Sequence, residues 1–525
     1  MARTSERADR VVVVGGGVGG LVTAALLARQ GHEVTLLERA ARIGGKMRQV
    51  QVDGRSIDAG PTVMTMRWVF EEIFADLGSS LDNHLRLHPT EILARHFWPG
   101  SSTSLDLFAD VERSAEAIGD FAGPAEAEGY RRFCDYAKRI YETVELPFLR
   151  SERPSLKATL NVARDLGLSA LLRIDGHRTL WKALGEYFHD PRLRQLFGRY
   201  ATYCGSSPFL APATLNVIAH VEREGVFLVE GGMYKVAEAL EQIAVKLGVQ
   251  IRCGAEVQEI LVEHGHAAGV LLRSGERLDA SAVVLNGDAE ALARGLLGAK
   301  ASRAIPAPGA RSLSAVTWAM VAETSGVPLV RHNVFFSSDY AAEFREIFDR
   351  SKLPTEPTVY VCAQDRDEAG ETREPGPERL LVLVNAPATG DSKPLSDNEV
   401  LECEKRSFSL LRRLGLRVGP SAGRPVVTTP SDFGRLFPGT GGALYGSVSH
   451  GMTAPLTRAS SRTKLPGLYL TGGSAHPGAG VPMVALSGRF AAASAHADLA
   501  STSRSRTAGT PGGTWTSSAT MAATR

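Results

Sequence analysis

Residues 10–46 read RVVVVGGGVGGLVTAALLARQGHEVTLLERAARIGGK. The run 11–14 is β-branched throughout and stops at a glycine cluster, the composition of a short strand entering a turn. Beyond it Val18, Leu21, Val22, Ala25 and Leu26 recur at helical spacing. The order is therefore strand, tight turn, helix. Gly15, Gly17 and Gly20 form G-x-G-x-x-G in the turn. The first permits the turn, the second lets the backbone approach a pyrophosphate, and the third lets helix and strand pack closely. The helix N-terminus then faces the phosphates with free N–H groups and the positive end of its dipole. After Gly31 a second strand, 34–37, closes on Glu38, an acid placed to hydrogen-bond a ribose hydroxyl and to repel a 2′-phosphate. Strand, turn, helix and acid together predict a dinucleotide site and argue against NADP; FAD and NAD both remain. Directly after Glu38, Arg42-Ile43-Gly44-Gly45-Lys46 places a glycine pair between cations, which suits a further close backbone approach to a phosphate or a ring.

At 525 residues the chain is too long for one simple domain and predicts two or three. Hydrophobic content of 43% and charged content of 22% are those of a folded globular protein with a large core. Lys and Arg number 59 against 57 Asp and Glu, so a net charge of +2 gives no reason to expect nucleic acid as a partner. The five cysteines are scattered with no C-x-x-C, which predicts reduced cytoplasmic thiols and no metal site. No secretory h-region and no membrane-spanning apolar run is present, so any membrane association is expected to be peripheral. From residue 501 the Ser-, Thr-, Ala- and Gly-rich composition lacks large apolar residues and predicts a disordered tail.

Between these ends, 50–61 reads as a hairpin around Asp53-Gly54 running into Asp58-Ala59-Gly60-Pro61. Residues 62–230 read as mostly helical, broken by prolines; 140–174 interleaves Leu146, Pro147, Phe148 and Leu149 with Arg150, Arg153, Lys157, Arg164 and Arg173. Such a segment suits an anionic membrane surface, or equally a solvated helix pair over a substrate cavity. A helix after Tyr234 leads to three expected strands, 249–253, 256–263 and 267–273, and then to 282–286, whose continuous apolar character marks a buried parallel strand. Residues 315–321, 359–363 and 380–385 read as strands of a second sheet. Finally 467–482, GLYLTGGSAHPGAGVP, is a strand entering a glycine-rich turn, with a helix expected from about Pro482 to Leu499.

The Arg42–Lys46 segment resembles the R-x-G-G of the FAD-binding flavoprotein superfamily that includes amine oxidases and carotenoid desaturases, which selects FAD. The stretch 471–482, with Thr471-Gly472-Gly473 and His476-Pro477-Gly478-Ala479-Gly480-Val481-Pro482, resembles the C-terminal signature of bacterial phytoene-desaturase-type enzymes, and the likeness runs from about residue 10 to 499. Residues 60–68, GPTVMTMRW, are similar to the branch acting on 1-hydroxy or methoxy carotenoids, the hydroxyneurosporene or 1-hydroxycarotenoid 3,4-desaturases. The resemblance implies an α/β fold in which an FAD-binding, doubly wound Rossmann-type domain is interrupted by a mixed-sheet substrate domain and a helical region. It divides the chain into 1–9 (disordered), 10–80 (FAD-binding), 81–230 (helical, facing substrate or membrane), 231–300 (FAD-binding), 301–435 (substrate sheet), 436–500 (FAD-binding) and 501–525 (disordered).

By the same resemblance Asp58, Gly60 and Pro61 approach the flavin, Val257 opens a strand with a backbone contact to adenine, and Gly472, Gly473, Gly480, Val481 and Pro482 bring a second helix end to the cofactor. Gly473 stands where many related flavoproteins have an acid, leaving backbone N–H groups to make that contact. The implied chemistry is hydride transfer from an acyclic carotenoid to flavin N5 followed by proton loss, with oxygen or a quinone as final electron acceptor. His96 and His476 are candidate proton acceptors. The location implied is cytoplasmic, at the inner face of the cytoplasmic membrane. Phytoene desaturase, carotenoid isomerase and amine oxidase stand as alternative activities on this scaffold, and a prenyl-lipid escort as the non-enzymatic one.

Overall fold

A computed structural model of the protein describes residues 9–153, 174–307, 309–372, 376–452, 454 and 458–507. Its base is a five-stranded parallel sheet in the order Leu468–Leu470, Ala282–Leu285, Arg10–Val14, Glu33–Glu38, Gln250–Cys253. Side-chain alternation splits its strands between two cores. Val11, Val13, Leu36 and Val284 face the helices Val18–Arg29, Tyr234–Lys246 and Val481–Thr507. Val12, Leu37, Val283 and Leu285 face a three-stranded antiparallel layer, Val257–Glu263, His266–Leu272 and Arg277–Asp279. Apolar side chains on both faces of Ala282–Leu285 are thus used, which is why that strand shows no alternation of polarity.

The antiparallel layer differs from the expected one. Gln250–Cys253 does not open it but pairs in parallel with Glu33–Glu38, because Gly254 N–H and Ala255 N–H donate to Ala40 O and Glu38 O at 2.9 Å each and hold the chain at the end of that strand. Arg277–Asp279 supplies the third strand instead.

The second sheet has eight strands and mixed direction. Leu416–Ser421, Ser314–Gly326, Glu378–Ala386, Val359–Ala363, His332–Phe335, Ile92–Phe97 and Leu105–Phe108 follow in order, with Val426–Thr428 pairing Ser314–Gly326. The expectation of helix through 81–230 is therefore corrected at its start. Ile92–Phe97 and Leu105–Phe108 join the sheet, and Leu87–Pro89 pairs Phe227–Val229. Neighbouring Leu93 and Ala94 are both buried, so the strand shows no period of two. Helices do follow, Val111–Ala122 and Pro124–Val144 among them.

One face of this sheet, with Phe335, Val361 and Val382, shares a core with Cys403, Leu410 and Leu411 of the helix Asp397–Arg413. The other looks toward the helical region. The last helix, Val481–Thr507, continues past Leu499 and past residue 501, where a disordered tail was expected. Small residues such as Ser and Ala cannot build a core, yet they extend a helix already nucleated by packing. Residues 508–525, 1–8 and 154–173, the centre of the expected membrane-facing segment, lie outside the described residues.

Candidate active site

Asn286, just beyond the strand Ala282–Leu285, is the hub of the glycine turns. Its Nδ2 donates to Gly15 O at 3.1 Å, and a Cβ added at Gly17 or Gly472 would come within 2.9 Å of its Nδ2 or 3.0 Å of its Oδ1. Gly15 has φ +104°, and a Cβ on Gly20 would lie 2.1 Å from Gly15 O. Gly17 caps the helix Val18–Arg29 with no side chain, so the first-turn N–H groups stay available to an anion.

The Glu38 carboxylate is buried and accepts from Gly16 N–H at 2.7 Å and Ala40 N–H at 2.8 Å, one bond on each oxygen. A second lone pair on each oxygen remains for ribose hydroxyls. Gly44 N–H donates to Gly16 O at 2.8 Å, and exposed Arg42 stands beside this turn. Val257 is reached through the bond from Ala255 N–H to Glu38 O, which brings it to the same end of the sheet. Thr471 Oγ1, buried and without a hydrogen-bond partner among the described residues, would be 2.8 Å from a Cβ on Gly19. Uncapped amides, open carboxylate lone pairs and an orphaned hydroxyl around one glycine cradle fit a dinucleotide.

Two expected cofactor residues are turned elsewhere. Lys46 Nζ donates to Leu444 O at 2.7 Å and stands 5.5 Å from the Phe437 ring centroid. Burial lowers its pKa, so a carbonyl and a ring rather than a phosphate satisfy it. Asp58 accepts from Met233 N–H at 2.7 Å and from Gln49 Nε2 at 3.1 Å, holding the turn that leads into Tyr234–Lys246. Gln364 clamps the Asp58 backbone with bonds of 3.0 and 2.8 Å. Gly472 N–H is given to Ser487 Oγ at 3.2 Å, and Gly473 O accepts from Arg458 at 2.9 Å.

Gly60, Pro61, Gly480, Val481 and Pro482 come together on the wall of a cavity of about 740 Å³. It extends from these residues to the face of the eight-stranded sheet carrying Val334, Tyr360 and Leu383. Arg458 lines it as well; burial lowers its pKa, and backbone carbonyls of Gly473, Ser447 and Tyr445 hold its guanidinium. Pro147, Phe148, Leu149 and Met452 line the cavity, with Leu146 and Met452 itself well exposed to solvent.

Neither candidate histidine lines this cavity. His96 is fully buried on Ile92–Phe97, stacked with Trp98 and Phe336 at 6.1 Å, its Nδ1 3.1 Å from Leu105 O. Desolvation pushes its pKa down to about 3, with the Arg199 charge adding to the effect. His476 Nε2 lies 3.0 Å from Phe148 O and 2.8 Å from Ser151 O, tying the glycine-rich turn to residues 148–151. Burial lowers its pKa also. Asn286, Arg458 and Gln364 went unassigned as site residues in the sequence; Asn286 alone had a signal, at the polar end of an apolar strand. Among the described residues no cluster suits a metal ion and no helix is long and apolar enough to cross a membrane.

Comparison with known proteins finds the flavin containing amine oxidoreductase family matching residues 18–496. A hydroxyneurosporene desaturase of Rubrivivax gelatinosus is 54% identical over 98% of this chain and 98% of its own. A second hydroxyneurosporene desaturase, from Cereibacter sphaeroides, is 46% identical over 94% of this chain and 99% of its own. Among solved structures, a putrescine oxidase redesigned in its cofactor binding superposes with a TM-score of 0.58 at 16% identity, over 94% of this chain and 99% of that one, a likeness of fold.

Proposed function

The chain belongs to the flavin containing amine oxidoreductase family, and from that premise we propose that it desaturates an acyclic carotenoid, introducing the 3,4 double bond into a 1-hydroxylated or methoxylated substrate. It is an FAD-dependent oxidoreductase. The observation that carries the reading is the cavity of about 740 Å³, walled at one end by Gly60, Pro61 and Gly480–Pro482 and elsewhere mainly by aliphatic and aromatic side chains. Such a space takes a flexible polyene end by burial of apolar surface.

Bound FAD supplies a two-electron acceptor for hydride. Gly15, Gly17, Gly20 and the uncapped amides of Val18–Arg29 would hold the pyrophosphate and Glu38 the ribose, with Arg42, Gly44 and Gly45 flanking them. Gly60, Pro61, Gly480 and Val481 would line the meeting place of cofactor and substrate, with Pro482 in the first helical turn where no N–H is lost. The apolar wall excludes water from the reacting carbons. After hydride loss the neighbouring C–H is strongly acidic through conjugation, so no buried strong base is required. Oxygen or a quinone would serve as the final electron acceptor.

Exposed Leu146, in the segment that carries Arg150 and Arg153, and exposed Leu210 and Met452, the former accepting a bond from Gly451 N–H, suit a rim that lies on the inner face of the cytoplasmic membrane and admits substrate from the lipid. The test is anaerobic incubation of FAD-loaded protein in liposomes with hydroxylated and unhydroxylated acyclic carotenoids. Flavin bleaching coupled to a red shift of the polyene is expected with the hydroxylated substrate. Bleaching with phytoene instead would overturn the 3,4 assignment, and bleaching with an amine alone would overturn the carotenoid one.

A further inference from the structure

A group of polar side chains interrupts the apolar wall: Thr62, Tyr360, His332, Arg199, Tyr203 and Glu222 all line the cavity. They fall into two hydrogen-bonded groups. Thr62 Oγ1 lies 2.8 Å from Tyr360 Oη, which lies 2.7 Å from His332 Nδ1. Glu222 accepts from Tyr203 Oη at 2.5 Å and from Tyr200 Oη at 2.7 Å, and the Arg199 guanidinium sits 5.1 Å from the Tyr203 ring centroid. Two atoms of the set have no hydrogen-bond partner among the described residues, His332 Nε2 and Arg199 Nε. His332 is 3% exposed.

Buried polar atoms left unpaired beside a hydrocarbon cavity are destabilising unless a ligand completes them. Building on the desaturase reading, we infer that this group recognises the hydroxyl at the end of the carotenoid, with His332 as the specificity-determining residue. The chemistry selects an alcohol over other polar ends. Glu222 already faces the Arg199 charge, so the group has no free charge for an acid or an amine. His332 is kept neutral, first by burial and then by the charges of Arg331 and Arg199, which push its pKa down to about 3.

A neutral imidazole whose Nδ1 is engaged by Tyr360 presents Nε2 as donor or acceptor according to tautomer. An alcohol serves as the complementary partner in either case, whereas an unhydroxylated chain end serves in neither. Position agrees with the reaction. Thr62 follows Gly60 and Pro61 of the flavin-facing wall directly, and in a 1-hydroxylated substrate only one carbon separates the hydroxyl-bearing carbon from C3 of the bond to be oxidised. An anchor at Thr62, Tyr360 and His332 therefore sets which bond reaches the cofactor.

The test compares kcat/KM for a 1-hydroxylated acyclic carotenoid with that for its unhydroxylated twin, in liposomes, for the holoenzyme and for His332→Leu, His332→Gln and Tyr360→Phe, each checked for flavin content. The natural protein is expected to prefer the hydroxylated substrate. His332→Leu lowers the ratio of the two kcat/KM values by about tenfold, the loss of one buried hydrogen bond. His332→Gln, which keeps a donor and an acceptor, retains most of the ratio. Tyr360→Phe, which preserves the ring and the packing, lowers it as well, and carries the test if His332→Leu loses its flavin. An unchanged ratio in both His332→Leu and Tyr360→Phe, whatever the absolute rate, overturns the assignment and leaves the desaturase intact. Equal use of both substrates by the natural protein does the same. Flavin reduction by neither carotenoid overturns both readings.

Discussion

At the scale of single residues, the dinucleotide site rests on contacts that tolerate almost no added atoms. A methyl on Gly20 would sit 2.1 Å from Gly15 O, backbone against backbone, so strand and helix would have to part. Gly20→Ala is expected to cost about 1–3 kcal/mol by overpacking and to emerge from purification with little bound flavin, measured as flavin absorbance per protein. Undiminished flavin content would remove Gly20 from the proposed cradle. Glu38 is a different case, because its carboxylate holds Gly16 and Ala40 N–H groups before any ribose arrives. Glu38→Ala should weaken FAD binding by about tenfold to a hundredfold, about 1.4–2.8 kcal/mol, in a flavin titration of the apoprotein. Both residues were legible in sequence because their roles are local, set by a turn and by the end of the next strand. Asp58 and Lys46 were not, since the groups that claim their side chains, Met233 N–H and Leu444 O, stand 175 and 398 positions away.

At the scale of elements, the turn of helix Glu145–Leu149 divides its side chains between two tasks. Phe148 packs edge-on to the His476 ring, centroids 4.8 Å apart, while Leu146 is 71% exposed. If the exposed side enters lipid, each inserted large apolar side chain contributes up to about 1.5–3 kcal/mol. Leu146→Asp combined with Met452→Asp is expected to reduce co-sedimentation with anionic liposomes by tenfold or more while flavin content holds. Unchanged sedimentation would place the membrane contact elsewhere. The sequence shows the apolar run 146–149 next to arginines, but not which of its residues turn outward.

For the whole molecule, burial of neutral histidine makes stability depend on pH. His96 has a folded pKa of about 3 against an ordinary value of 6.5. Below pH 6.5 the unfolded chain takes a proton that the folded one refuses, so stability falls as the pH drops and the loss is complete near pH 3. The upper bound on that loss is about 5 kcal/mol. His96→Phe, which keeps a ring beside Trp98 and Phe336, should move the acid-unfolding midpoint to lower pH, followed by circular dichroism. An unmoved midpoint would assign acid sensitivity to other groups. The sequence offered His96 as a proton acceptor because a lone histidine says nothing of its depth. Its place beside the Trp98 and Phe336 rings, on the strand next to the sheet edge, is a property of the assembled sheet.

The sequence by itself determined the strand, turn and helix of the first nucleotide unit, the acid that closes it, and the glycine-rich turn before the last helix. Each depends on residues within a few tens of positions and on backbone geometry that only certain side chains permit. Only the tertiary structure decided that Gln250–Cys253 belongs to the parallel sheet, that Ile92–Phe97 joins the second one, and that Thr62, Tyr360 and His332 meet in one cavity wall. Those pairings join segments up to 298 residues apart. Their partners are chosen by which faces are left to bury once the sheets have formed, and no local pattern of residue types encodes that choice.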